Sequence, residues 1–183
     1  MPTFTLHNET SAPDSAKPLL QNSQQSFGMI PNLHAVMAES PQLLEGYQQL
    51  HGLAQKTAFD AAELTVVWQT INVEHNCHYC VPAHTGIAYS MQVDENVINA
   101  LRDETELPSN KLNVLRDTTL EILRERGHLS NEQKKAFFDV GYGNQHLLDI
   151  VLILSQKVMS NYVNHLADTP VDSAFQKFDW TKK

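Results

Sequence analysis

From about residue 27 onward, apolar residues recur three and four positions apart along the chain, with breaks at Ser, Asp, Pro or Gly. Residues at that spacing fall on one side of a 3.6-residue helix, so each run predicts an amphipathic helix. Ser40 followed by Pro41 offers a capping oxygen and a ring already at helical φ, starting a helix that runs to about Lys56. Asp60 and Glu63 have the spacing of a capping box and open a second helix through "LTVVWQTINVEH". Its Val and Ile content would suit a strand, but the run is long and capped, which favours helix. Asp94, Ser109 and the pair Ser130 and Gln133 mark three further starts, and Gly127 stands where a glycine would close the second of these. The last segment, "NQHLLDIVLILSQKVMSNYVNHLA", has helical spacing and an almost wholly apolar centre, which predicts a place deep in the core or in a subunit interface. There is no Asn-Gly or Asp-Gly hairpin signal and no internal repeat. The expected fold is all-α, a single-domain helical bundle over residues 27–183. Residues 1–26, rich in Ser, Gln, Asn and Pro, read as an N-terminal arm whose order depends on docking.

Composition narrows the function more than the fold. With 13 basic and 21 acidic side chains the net charge is −8, and no dense basic patch offsets it, so nucleic acid is not an expected partner. No basic segment followed by an apolar stretch occupies the first twenty residues, and no run approaches the roughly 18 to 20 apolar residues that span a bilayer. A cytoplasmic protein with no membrane partner is the expectation. The chain has two cysteines, and in a reducing compartment a C-x-x-C pair is more often catalytic or metal-binding than structural.

Both lie in "NCHYCVPAHT", residues 76 to 85. Positions i, i+3 and i+7 of a helix share a face, so Cys77, Cys80 and His84 are expected on one stripe. Asn76 can cap such a helix, and Pro82 requires that it begin close to the cysteines, which places both thiols at its positive end. A free thiol with pKa about 8.5 is mostly protonated at neutral pH, and a helix N-terminus and a nearby imidazole both favour the reactive thiolate. A second thiol one turn away can close a disulfide after the first is oxidised. Two other uses remain open at this point. A structural zinc would need a fourth ligand from His75, His78 or Glu74, none at the usual paired spacing; alternatively, all three residues are small core groups.

Cys77-His78-Tyr79-Cys80 followed by His84 resembles the C-x-x-C-x-x-x-H core of the alkylhydroperoxidase-D-like proteins in the carboxymuconolactone decarboxylase family. "FGMIPNL" at 27–33 and "NYVNHLADTPVD" at 161–172 are similar to segments of its peroxidase-related branch, so the resemblance covers roughly residues 27–176. It implies a homo-oligomer of all-helical subunits and an antioxidant oxidoreductase that reduces hydroperoxides. Cys80 would attack, Cys77 would resolve, and His84 would belong to the relay that deprotonates Cys80. The resulting disulfide would be reset by a dithiol protein of lipoyl or thioredoxin type, with no metal, flavin or other cofactor. Two positions depart from the pattern: Thr65 stands where the relay has a glutamate and Tyr79 where it has a histidine. Glu63 lies about 200° round the helix from position 65 and is better explained as a cap. Glu74, one turn before Cys77, is the other carboxylate near the motif. A decarboxylase-like lyase and a non-catalytic oligomeric binding or redox-sensor protein are the alternative functions. Trp68 is expected in the core, the "GYG" at 141–143 as a helix break, and histidines 34, 51, 128, 146 and 165 receive no role.

Overall fold

The structure, a computed structural model, describes residues 4–183 and is all-α, with no strand among the described residues. Its helices are α1 (Lys17–Phe27), α2 (Asn32–Met37), α3 (Pro41–Ala54), α4 (Ala61–Glu74), α5 (Cys80–Ser90), α6 (Glu95–Asp103), α7 (Asn110–Arg124), α8 (Asn131–Asp139) and α9 (Asn144–Ala167). Most caps read from the sequence are the caps observed. Asp60 and Glu63 form a reciprocal box at α4, Ser130 and Gln133 another at α8, and Asp94 and Ser109 accept backbone N–H groups at α6 and α7. Ser40 holds the N-cap position of α3 in extended conformation without a side-chain bond, so Pro41 alone marks that start. Gly127 adopts φ 89° and its N–H closes onto the Ile122 carbonyl at 2.8 Å.

α4 is the axis of the bundle, packed on α5, α6, α7 and α9, and its residues Glu63 to Val73 are buried without a break. A helix buried on every side must be covered on every side, and polar residues within it, such as Gln69 and Asn72, bond inside the bundle. Each fully buried Val or Ile, such as Val66, Val67 and Ile71, contributes roughly 1.5–3 kcal/mol. Two hydrophobic clusters flank this axis. One gathers Trp68, Ile98, Leu115, Phe137, Ile150 and Ile153; the other gathers Leu20, Met37, Leu44 and Tyr47 around both cysteines. From residue 14 the arm forms a short 3-10 turn (Asp14–Ala16) and α1, which runs one residue past it to Phe27 and whose Leu20 and Ser23 are fully buried where α1 packs on α2 and α3. The first three residues of the arm lie outside the described residues. Gly141 at φ 95° and Tyr142, stacked on Phe137, break the chain between α8 and α9.

α9 crosses both clusters. Ile150, Ile153, Lys157, Ser160, Asn161 and Asn164 lie along its inner face and are all fully buried, whereas Leu148, Val151, Tyr162 and Leu166 are exposed. Deep burial of its apolar centre therefore holds for Ile150 and Ile153 but not for Leu148 and Val151. No helix among the described residues is long and apolar enough to cross a membrane.

Candidate active site

The turn between α4 and α5 sets the two sulfurs. Asn76, expected as the cap of the following helix, has φ 52° and instead ends the preceding one. It is the left-handed residue after α4, and the next N–H, that of Cys77, closes onto the Asn72 carbonyl at 3.0 Å. Asparagine tolerates that conformation better than most residues, which explains why the chain reverses here. α5 then starts at Cys80, so Cys80 alone lies in its first turn and Cys77 precedes it. Pro82, third in α5, occupies a position where no intrahelical N–H is needed. The Cys77 sulfur accepts the Cys80 N–H at 3.3 Å, the i to i+3 bond that a capping Ser would make.

Both cysteines are free and buried, and their surroundings separate them chemically. Burial pushes the Cys80 thiol up, but this is outweighed by the hydrogen bond from Cys77, the charge of Lys157 and the amides of Asn164 and Asn161, which bring it down to about 5. The Asn164 amide nitrogen donates to the Cys80 sulfur at 3.2 Å and stands 4.0 Å from that of Cys77. Cys77 moves the opposite way, raised by its hydrogen bond to the Cys80 thiolate and then by burial. The two surroundings therefore favour the thiolate at Cys80 and the thiol at Cys77. Lys157 is fully buried, and its Nζ lies 2.9 Å from His84 Nε2. With the ammonium donating, that nitrogen accepts, and burial followed by the Lys157 charge holds His84 neutral, well below the usual imidazole range.

A cleft of about 160 Å³ reaches this group. Cys80, His84 and Lys157 line it together with rings from Phe27, His34, Tyr47, His51 and Phe175, while Cys77 does not. Phe175, from the segment after α9, closes over Gly86, where a Cβ would stand 2.8 Å from the ring. Arg102 holds that segment by donating to the carbonyls of Phe178 and Asp179 at 3.0 Å each.

The positions that depart from the resemblance have structural work. Thr65 is buried, and its hydroxyl donates to its own helix at Ala61 O, 2.8 Å. The Tyr79 hydroxyl donates to Asp172 at 2.5 Å and accepts the Leu33 N–H at 3.2 Å; the other Asp172 oxygen accepts the Asn32 N–H at 3.0 Å. Tyr79 thus ties the start of α2 to the C-terminal segment, and burial and then the Asp172 charge push its phenol well above the usual range. Glu63 caps α4 and also takes Lys111 at 2.7 Å and Tyr142 at 3.0 Å. Glu74 is held away from the sulfurs by a two-pronged pair with Arg124 at 2.7 and 2.8 Å. Among the described residues no group of three or more His, Cys, Asp or Glu side chains is arranged to hold a metal ion.

Of the three residues singled out by spacing, Cys80 and His84 face one cleft and Cys77 sits behind. The hydrogen bond of His84 goes to Lys157 rather than to either sulfur. Lys157, Asn161, Asn164 and Asp172, and cleft histidines 34 and 51, did not emerge from the motif. A signal existed for the first three: Lys157, Asn161 and Asn164 continue, at helical steps, the face that carries Ile150 and Ile153.

No family model matches the chain, and no curated protein matches it. Solved structures do. It is similar to the alkylhydroperoxidase AhpD core of an uncharacterized peroxidase-related protein from Ralstonia eutropha JMP134, with a TM-score of 0.83, 15% identity and 96% of each chain covered. A second uncharacterized peroxidase-related protein, from Silicibacter sp. TM1040, has a TM-score of 0.78 at 15% identity, covering 94% of this chain and 91% of that one. The debrominase Bmp8 in complex with 2,3,4-tribromopyrrole has a TM-score of 0.74 at 18% identity, covering 97% and 95%. The fold is therefore the all-α fold of the alkylhydroperoxidase D core.

Proposed function

We propose that the protein is a thiol-dependent oxidoreductase of peroxidase type in which Cys80 attacks and Cys77 resolves. The supporting observation is the asymmetry of the pair: the sulfur that opens on the cleft is the one favoured as thiolate, and the sulfur behind it keeps its proton. The Cys80 thiolate attacks the distal oxygen of a hydroperoxide, the O–O bond breaks, and an alkoxide leaves that takes up one proton to become the alcohol. Cys77 then displaces the hydroxyl of the Cys80 sulfenic acid as water, giving a disulfide. A dithiol protein of lipoyl or thioredoxin type returns both thiols. His84 belongs to the same centre, holding a neutral imidazole against Lys157. The exposed residues of α9 suit a homo-oligomer, and the acidic surface suits a cytoplasmic protein with no nucleic-acid partner.

Peroxide treatment followed by peptide mass spectrometry tests this. A Cys77 to Cys80 disulfide that dithiol reverses is expected, and its absence sinks the proposal. Alkylation of Cys80 should be fast and level through neutral pH. Its rate should fall as pH drops through about 5, because protonation removes the nucleophile.

The ring-lined cleft and the similarity to a debrominase favour a second reading, reductive dehalogenation. There a carbon–halogen bond breaks, the Cys80 thiolate and the Cys77 thiol together supply two electrons and the one proton that the ring takes up, and the products are the hydrogen-substituted ring, halide and the same disulfide. Halide release from a bromopyrrole in the presence of dithiol, with no turnover of hydroperoxides, would select it.

A further inference from the structure

We propose that Lys157 is the acid of this site: its ammonium pairs with the Cys80 thiolate in the resting protein and delivers its proton to the alkoxide released from the peroxide. The inference rests on the peroxidase reading and supplies what the positions at Thr65 and Tyr79 do not.

The side chain is fully buried, and no carboxylate lies within ion-pairing distance of it among the described residues. A buried ammonium is costly unless it has a counter-charge. Its one side-chain hydrogen bond among the described residues goes to a neutral imidazole, which satisfies a proton but not a charge. The group that shares its cleft and can carry a negative charge is Cys80, so thiolate and ammonium stabilise each other in a buried site, while desolvation draws the Lys157 ammonium below its usual range and makes it a readier acid.

The other proton donors are committed. Thr65 bonds its own helix, the Tyr79 hydroxyl donates to Asp172, Glu74 is paired with Arg124, and His84 accepts from Lys157 itself. Lys157 lines the cleft and so meets the substrate directly. The protons balance: Cys80 thiolate and Lys157 ammonium with the peroxide give Cys80 sulfenic acid, neutral Lys157 and the alcohol. The Cys77 proton leaves with the sulfenic hydroxyl as water, and reduction of the disulfide by the dithiol returns one proton to Cys77 and one to Lys157. The titratable groups around the pair are Cys77 and Tyr79 at the turn, with Asp172 of the C-terminal segment behind Tyr79, His84 on α5, His34 on α2, and Tyr47 and His51 on α3. None of these is a basic group that carries charge at neutral pH.

The test compares the native protein with Lys157→Gln, which keeps a donor for His84 without a charge, and Lys157→Met, which fills the same space with neither. Circular dichroism and thermal melting establish which of them folds. Thiolate ultraviolet absorbance against pH should place the Cys80 midpoint at least about one pH unit higher in either variant. Above both midpoints, where every protein is fully thiolate, the rate of peroxide-driven disulfide formation should still fall about a hundredfold. An unmoved midpoint overturns the pairing, and equal rates at full thiolate overturn the proton delivery. The titration needs no peroxide, so native protein that never forms the disulfide defeats the peroxidase reading, and delivery with it, in a separate measurement from the pairing.

Discussion

The two halves of α9 use one helical face for opposite purposes. Ile150 and Ile153 meet the bundle as fully buried hydrocarbon, while Lys157, Ser160, Asn161 and Asn164, on the same face and equally buried, meet it as a charge, a hydroxyl and two amides. The first half contributes stability through the hydrophobic effect; the second spends some of it on desolvating polar groups, of which Lys157, Asn161 and Asn164 then act on a sulfur. Burial and apolarity, which agree in the first half, separate in the second, and they separate at the cysteines.

Substitutions along this face test that division. The largest effect on folding is expected at Ile153→Ala, which leaves a cavity beside α4 and costs about 2–5 kcal/mol in chemical denaturation, with the Cys80 thiolate titration unmoved. Asn164→Leu should cost less in stability and act on chemistry. It removes a donor to the thiolate worth about 1.5–3 kcal/mol, so the Cys80 midpoint rises from about 5 by about one to two units, read by thiolate absorbance. If Asn164→Leu instead destabilises as Ile153→Ala does and leaves the midpoint alone, the two halves do not differ in kind. Ser160→Ala marks the lower bound. Its hydroxyl bonds only the Lys157 carbonyl of its own helix, at 3.1 Å, and alanine is the better helix former, so stability should change by less than about 1 kcal/mol and the sulfur should not respond.

The same separation accounts for what could be read from the sequence. Helix starts were legible because caps are local: Asp60 with Glu63 and Ser130 with Gln133 need only their own first turn to act. The dithiol was legible for a similar reason, since Cys77, Cys80 and His84 lie within eight residues. Asn76 misled because the same side chain suits the end of one helix and the start of the next, and only the Cys77 bond back to Asn72 decides between them. Lys157 was hidden by its surroundings: in a segment with an apolar centre, one lysine reads as a solvated exception. Its importance depends on His84, 73 positions away, which no local pattern brings next to it. Tyr79 likewise became intelligible only once Asp172, 93 residues on, was found to hold it.

The wall of the cleft at Phe175 has a consequence of a different sort. Phe175 belongs to a segment fastened by Arg102 and Asp172, none of which contributes to the sulfur pair, and its ring rests on the bare backbone of Gly86. The wall at Phe175 and the sulfur pair are thus written into separate parts of the chain. One can be revised without the other: the width of the cavity can drift, or be engineered, at Phe175, while Gly86 marks the boundary beyond which any added side chain dislodges the wall.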